Sequence, residues 1–179
     1  MAAKAQKNTM GLKERLYNLP QAAGIAIMAA LLVISLFVGN FRALQGATPK
    51  DFIRQGDVKS ILEDRIDAAM NAAMVAERAG LDVQAVRNTA KALEDAKSAR
   101  DISRADQELA QAVSALTTAP LQGEDARSMQ RAADDFAEMG SFLRQEARAY
   151  NEKAEKAEKL YDGLPTRFVL PEPDVYEGI

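Results

Sequence analysis

The sequence contains neither cysteine nor histidine. That double absence excludes disulfides, thiolate nucleophiles, imidazole bases and the commonest zinc shells. It also lacks a Gly-x-Ser-x-Gly elbow, a Ser-x-x-Lys pair and an Asp-x-Asp-x-Asp-Gly loop. Any nucleophile would therefore be a Ser, Thr, Tyr or Lys with no recognisable activating partner, and only carboxylates remain for acid–base work. No catalytic residue, cofactor site or metal site is expected. A basic surplus is missing too. Of the net charge of −3, the stretch Met1–Phe41 contributes +3 through Lys4, Lys7, Lys13 and Arg15 against Glu14, which leaves −6 on the remainder. A net-negative soluble part argues against a phosphate-backbone footprint, so nucleic acid is not an expected partner.

What the chain does have is one long uncharged run, QAAGIAIMAALLVISLFV from Gln21 to Val38, extendable to Phe41 before Arg42. Roughly 20 apolar residues at 1.5 Å each span the ~30 Å hydrocarbon core, and Pro20 suits a first helical position. A buried core helix would show a polar face, and here only Ser35 offers one. A cleaved leader is the closer rival. The run exceeds the usual apolar region of a signal peptide, and GNFRALQGATP after it has no clean A-x-A site, which favours an uncleaved anchor. Arg42, Lys50 and Arg54 nearly balance the four basic residues before the helix; the denser first flank favours a cytoplasmic N-terminus with the rest outside the cell membrane.

The expected organisation is a basic segment over 1–19, a transmembrane helix over 20–41 in contact with membrane lipid, a linker over 42–56, a helical domain over 57–165 and an extended Pro-containing tail over 166–179. Gly46-Ala47-Thr48-Pro49 is a breaker that should decouple anchor from domain. Asp51 or Asp57 can cap a helix carrying Val58, Ile61, Leu62, Ile66, Ala69, Met70 and Ala73, stopped at Gly80. Asp82 can cap a second, with Val83, Val86, Ala90 and Leu93 inward and helix-compatible sequence to Arg100. A third begins near Asp101, buries Ile102, Ala105, Leu109, Ala112 and Leu116, and ends before Pro120. The last, Glu124 to Asp162, carries Met129, Ala133, Phe136, Gly140, Leu143, Ala147, Tyr150, Ala154, Ala157, Tyr161 and Leu164 in alternating steps of three and four. Such a seam packs by knobs into holes, and its small residues admit close neighbours. The fold class is all-α.

The carboxylate pairs Glu63-Asp64, Glu94-Asp95, Glu124-Asp125 and Asp134-Asp135 read as solvated helix faces, because neighbours in a helix point about 100° apart. Tyr150 and Asn151 stand out. The phenol is expected to pack its ring while its hydroxyl finds a partner, and the amide to bond a neighbouring helix. As a recognition spot they would join Tyr161, Phe168 and Tyr176 beside an exposed Pro171–Ile179.

The C-terminal stretch EARAYNEKAEKAEKLYDGLPTRFVLPEPDVYE resembles the signature of the LemA family. Ala147, Arg148, Tyr150 and Asn151 fit its Ala-Arg and Tyr-Asn segment; Leu164 and Pro165 stand where Phe-Pro would be; Tyr176 falls in a Pro-x-x-Tyr tail. ADQELAQAVSALTTA and DRIDAAMNAAMVAERAG are similar to two earlier family segments, so the resemblance covers Asp57–Glu177. Ala157-Glu158 replaces a second Tyr-Asn, and the Gly-Phe after Phe-Pro is absent. The resemblance implies an N-terminal membrane helix, an up-and-down antiparallel four-helix bundle with one long C-terminal helix, no known catalytic activity and an unidentified membrane or envelope partner. Two functions follow as expectations: a monomeric interaction or scaffold module of the bacterial envelope, or a coiled-coil element that forms a homo-oligomer through the last seam. A carboxylate-based enzyme is a distant third.

Overall fold

The computed structural model describes residues 21–165 and 167–178. The expected basic segment and the Pro20 helix start lie outside them. The described chain is helical, with no strand, in the order α1 (Gln21–Ala43), α2 (Asp51–Arg54), α3 (Val58–Arg78), α4 (Gln84–Asp95), α5 (Ala99–Thr117) and α6 (Gly123–Tyr161). The chain divides between Asn40 and Phe41 into two compact units.

Within α1, Ala23–Ala43 is long and apolar enough to cross a membrane. Its 21 residues extend about 32 Å at the helical rise. Ile25, Leu32, Ile34 and Phe37 are all exposed on it. Anchors and signal sequences share this character.

In the second unit, local chemistry sets the helix ends. Gly80, at φ +81°, closes α3 by a Schellman arrangement in which the Leu81 N–H donates to the Ala76 carbonyl at 3.0 Å and the Gly80 N–H to that of Glu77 at 2.9 Å. Asp82 accepts from the Gln84 N–H at 2.9 Å at the start of α4. The third long helix starts earlier than expected. Ser98 caps it by accepting from the Asp101 N–H at 3.1 Å, and the chain breaks at Ala96–Ser98 where helix-compatible residues suggested continuity.

Helices α3, α4, α5 and α6 of this unit all contribute to one apolar core. Helices α3 and α6 run antiparallel: Gln55 just before α3 reaches the Glu146 carbonyl, Arg65 that of Phe136, and Arg78 the Asp125 carboxylate. The α6 seam is buried as expected from Met129 through Phe136, Gly140, Leu143, Ala147, Tyr150 and Ala154 to Ala157, with Ala132 taking the place expected for Ala133. On α3 the deepest positions are Val58 and four alanines, Ala69, Ala72, Ala73 and Ala76, and Ile61, Ile66 and Met70 are only partly covered.

Two expectations are corrected here. The linker over 42–56 belongs to the core: Leu44, Ala47 and Phe52 are buried, and Asp51–Arg54 forms a helical turn. Thr48 donates its N–H to the Asp51 carboxylate at 2.9 Å, which folds the segment back. The tail is extended but not freely exposed, because Pro173, Asp174 and Tyr176 are buried. In both stretches the aromatic residue decides, since Phe52 and Tyr176 each carry more apolar surface than the polar residues around them can keep in water.

Candidate functional site

The site grows from two charges placed on apolar helix faces. Arg65 follows Leu62 on the buried side of α3 and is 3% exposed. Its guanidinium stacks 3.7 Å above the centroid of the Phe136 ring, donates through Nη1 to the Phe136 carbonyl, and through Nε to Asp106 Oδ1. Asp106 lies on α5 between Ile102 and Leu109, also buried. Gly140 makes the approach possible: a Cβ there would stand 2.4 Å from Arg65 Nη1 and 3.0 Å from its Cζ. Its role is space, because its φ is not in the left-handed region. A buried ion pair holds only if the remaining polar atoms are also bonded, and among the described residues no buried side-chain N or O lacks a partner.

Tyr176 completes this network from the tail. Its hydroxyl donates to Asp106 Oδ2 at 3.3 Å, and its ring lies against Phe52 with centroids 5.3 Å apart; Phe52 in turn tilts against Tyr150 at 5.1 Å. The tail backbone is held by side chains. Asn151 accepts from the Tyr176 N–H at 2.9 Å and donates to its carbonyl at 2.7 Å. Tyr150 donates to the Asp174 carbonyl at 2.8 Å and lies 3.3 Å from that of Thr48. Ser103 and Gln107 both donate to the Glu177 carbonyl. Asp174 accepts from the Arg100 N–H at 3.1 Å, one of the donors left open in the first turn of α5, where a negative charge also suits the helix dipole. Its own N–H donates to the Ala47 carbonyl at 3.1 Å. The tail thus ties the segment before α2 to α5 and α6.

Of the residues singled out from sequence, the structure brings Tyr150, Asn151 and Tyr176 together. Tyr150 has the buried ring and bonded hydroxyl expected of it, but Asn151 bonds the tail backbone instead of a helix. Arg148 stays exposed, Leu164 is partly buried against the core and Pro165 lies in the exposed turn after α6. The expected aromatic cluster does not form: Tyr161 donates to the Arg167 carbonyl at 2.8 Å, Tyr176 is buried elsewhere, and Phe168 is 85% exposed. The four carboxylate pairs lie on exposed faces, with Asp125 half-buried beside Arg78, and no group of three or more carboxylates among the described residues is placed to hold a metal ion.

Burial raises the ionisation of both site phenols well above the ordinary tyrosine range, with Asp174 and then Asp51 adding to it for Tyr150, and Asp106 for Tyr176. Unfolded phenols ionise near pH 10. Above that pH the unfolded chain binds fewer protons than the folded one, so the stability these neutral phenols confer is complete below pH 10 and declines as pH rises toward their folded values. Each should contribute a loss of about 1.4 kcal/mol per pH unit there. In a spectrophotometric titration, at least two of the four tyrosines should ionise only as helicity is lost. A single step near 10 for all of them, with circular dichroism unchanged, would contradict the buried geometry.

No family model matches the chain, and no curated protein or solved structure matches it either.

Proposed function

We propose that the chain is a single-pass membrane protein of LemA-like architecture, with α3 to α6 forming an up-and-down antiparallel four-helix bundle that serves as a non-catalytic interaction or scaffold module of the cell envelope. The observation that carries this reading is the closed seam of α6, which is covered within one chain from Met129 to Ala157. A seam already consumed by its own core is not free to zip with copies of itself, so the fold supports a monomeric module over a coiled-coil assembly. The two segments that carry the resemblance meet in the fold, where Tyr150 and Asn151 grip the Pro-x-x-Tyr stretch at Asp174 and Tyr176. Helix α1 supplies the tether, with lipid as its surroundings, and the denser basic flank before it favours a bundle outside the cytoplasm.

The partner is sought by crosslinking the full-length protein in its native membrane and identifying what is captured; recovery only of self-crosslinked copies would favour the assembly reading. Sidedness has a direct test because the chain has no cysteine. Lys153→Cys, on an exposed face of α6, should react with a membrane-impermeant maleimide in intact, wall-stripped cells. Labelling that requires permeabilisation, with a cytosolic control behaving normally, would place the bundle inside.

A further inference from the structure

We propose that the cleft between the first turns of α5 and the Ala147–Asn151 stretch of α6 is a recognition site for extended polypeptide segments carrying Asp-x-Tyr, and that the chain's own tail is its resident ligand, occupying in cis the place a partner protein's segment takes. The proposal deepens the interaction-module reading and rests on it.

The tail is gripped as a peptide is. It has no helix or strand of its own, and side chains of α5 and α6 read its main chain. Asn151 pairs with both the N–H and the carbonyl of Tyr176, Tyr150 takes the Asp174 carbonyl, and Ser103 with Gln107 take that of Glu177. Such contacts hold any sequence that runs extended through the cleft. Selectivity comes from two side-chain positions. The tyrosine pocket is walled by Phe52 and floored by Asp106, whose carboxylate requires a donor at the end of the ring. The aspartate position is set by the Arg100 N–H, with the Arg100 guanidinium 3.9 Å from Asp174 and 3.1 Å from Glu177. A third demand is on the backbone: Gly178 has φ +90°, a conformation that strains any residue with a side chain, so the chain leaving the cleft there favours glycine.

The connection between α6 and the cleft offers a place to cut the tail free. Its described residues form neither helix nor strand, and Phe168 and Val169 stand exposed at 85% and 68% beyond the Tyr161 hydroxyl's bond to the Arg167 carbonyl.

The test uses the full-length chain in detergent or nanodiscs with a protease site in place of Phe168-Val169. After cleavage every other residue is still present, but the tail is held only by the cleft. The probe is a fluorescent synthetic peptide with the sequence Leu170–Gly178. The cleaved protein should exchange its fragment for the probe saturably, and the uncleaved protein should bind the probe at least about tenfold more weakly, because the tethered tail competes at high local concentration. Tyr176→Ala or Gly178→Ala in the probe should each weaken binding by about tenfold or more. Glu172→Ala, at an exposed position, should leave it unchanged, and Asn151→Leu in the protein should weaken every probe. No exchange, equal binding of all probe variants, or loss of helix when the fragment leaves would each overturn the cleft. Those failures would leave the crosslinking result untouched, so the module reading and the cleft stand or fall separately.

Discussion

Asp106→Ala should destabilise the second unit by about 3–5 kcal/mol, seen as a lowered midpoint in urea with an unchanged slope. The side chain removed is small; what remains explains the magnitude. Arg65, 3% exposed, would keep its charge in an apolar interior without the carboxylate that Nε donates to, and Tyr176 would lose the acceptor of its hydroxyl. The stacked Phe136 ring and the Phe136 carbonyl offset only part of that loss. Removing both charges at once is a different perturbation. Arg65→Met combined with Asp106→Leu replaces a polar pair by apolar volume and should lose less than Asp106→Ala alone, since nothing charged is left stranded. A double-mutant cycle measures this coupling; losses that simply add would show that the two side chains do not act as a pair.

Phe52→Ala should lower stability by about 3–5 kcal/mol, as for a large aromatic truncated in a core. Phe52 is fully buried between the rings of Tyr150 and Tyr176, and removing it leaves a cavity with two edges that depend on different parts of the chain. The same contact decides where a soluble fragment must begin. One starting at Phe41 keeps Leu44, Ala47 and Phe52, whereas one starting at Asp57 discards three buried side chains. The longer fragment should melt cooperatively at the higher temperature. Equal melting temperatures, or a Phe52→Ala loss within 0.5 kcal/mol of the parent, a change typical of exposed surface sites, would return residues 42–56 to the status of a linker.

Much of this fold is written locally. Steps of three and four along α6 mark its buried seam almost residue by residue, and Gly80, Asp82 and Pro120 mark helix ends, because periodicity and capping act within a few residues. The site is less legible, though one signal was present. Arg65 continues the Val58, Leu62, Ala69, Ala72 face of α3, and Asp106 interrupts the Ile102, Leu109, Val113, Leu116 face of α5. A lone cation on one apolar stripe and a lone anion on another announce a buried pair, and a glycine in a third stripe, at 140, announces the room it needs. Ser98 carried a signal of its own as a capping residue three positions before Asp101, masked by the helix-friendly residues around it. Tyr176 was singled out with Tyr150 and Asn151, but the burial of Asp174 and the docking of the tail had no signal, because a Pro-containing end looks the same whether it trails in water or lies in a cleft formed by residues far away in sequence.

The contacts that bind the tail and the stretch before α2 to α6 also bear on how the unit is assembled. Its broadest helix–helix interface already joins the distant α3 and α6, and the link from Tyr150 to the Thr48 carbonyl spans 102 residues. Loop-closure entropy makes such links the hardest to form first and the least helpful to a folding nucleus. The α4–α5 hairpin is therefore expected to condense before the aromatic corner around Phe52 closes, with earlier hydrogen-exchange protection of α4 and α5 as the check. By the same reasoning the corner is the first to open in the native state: sub-global unfolding that begins there can release both ends of the unit while α4 and α5 remain paired.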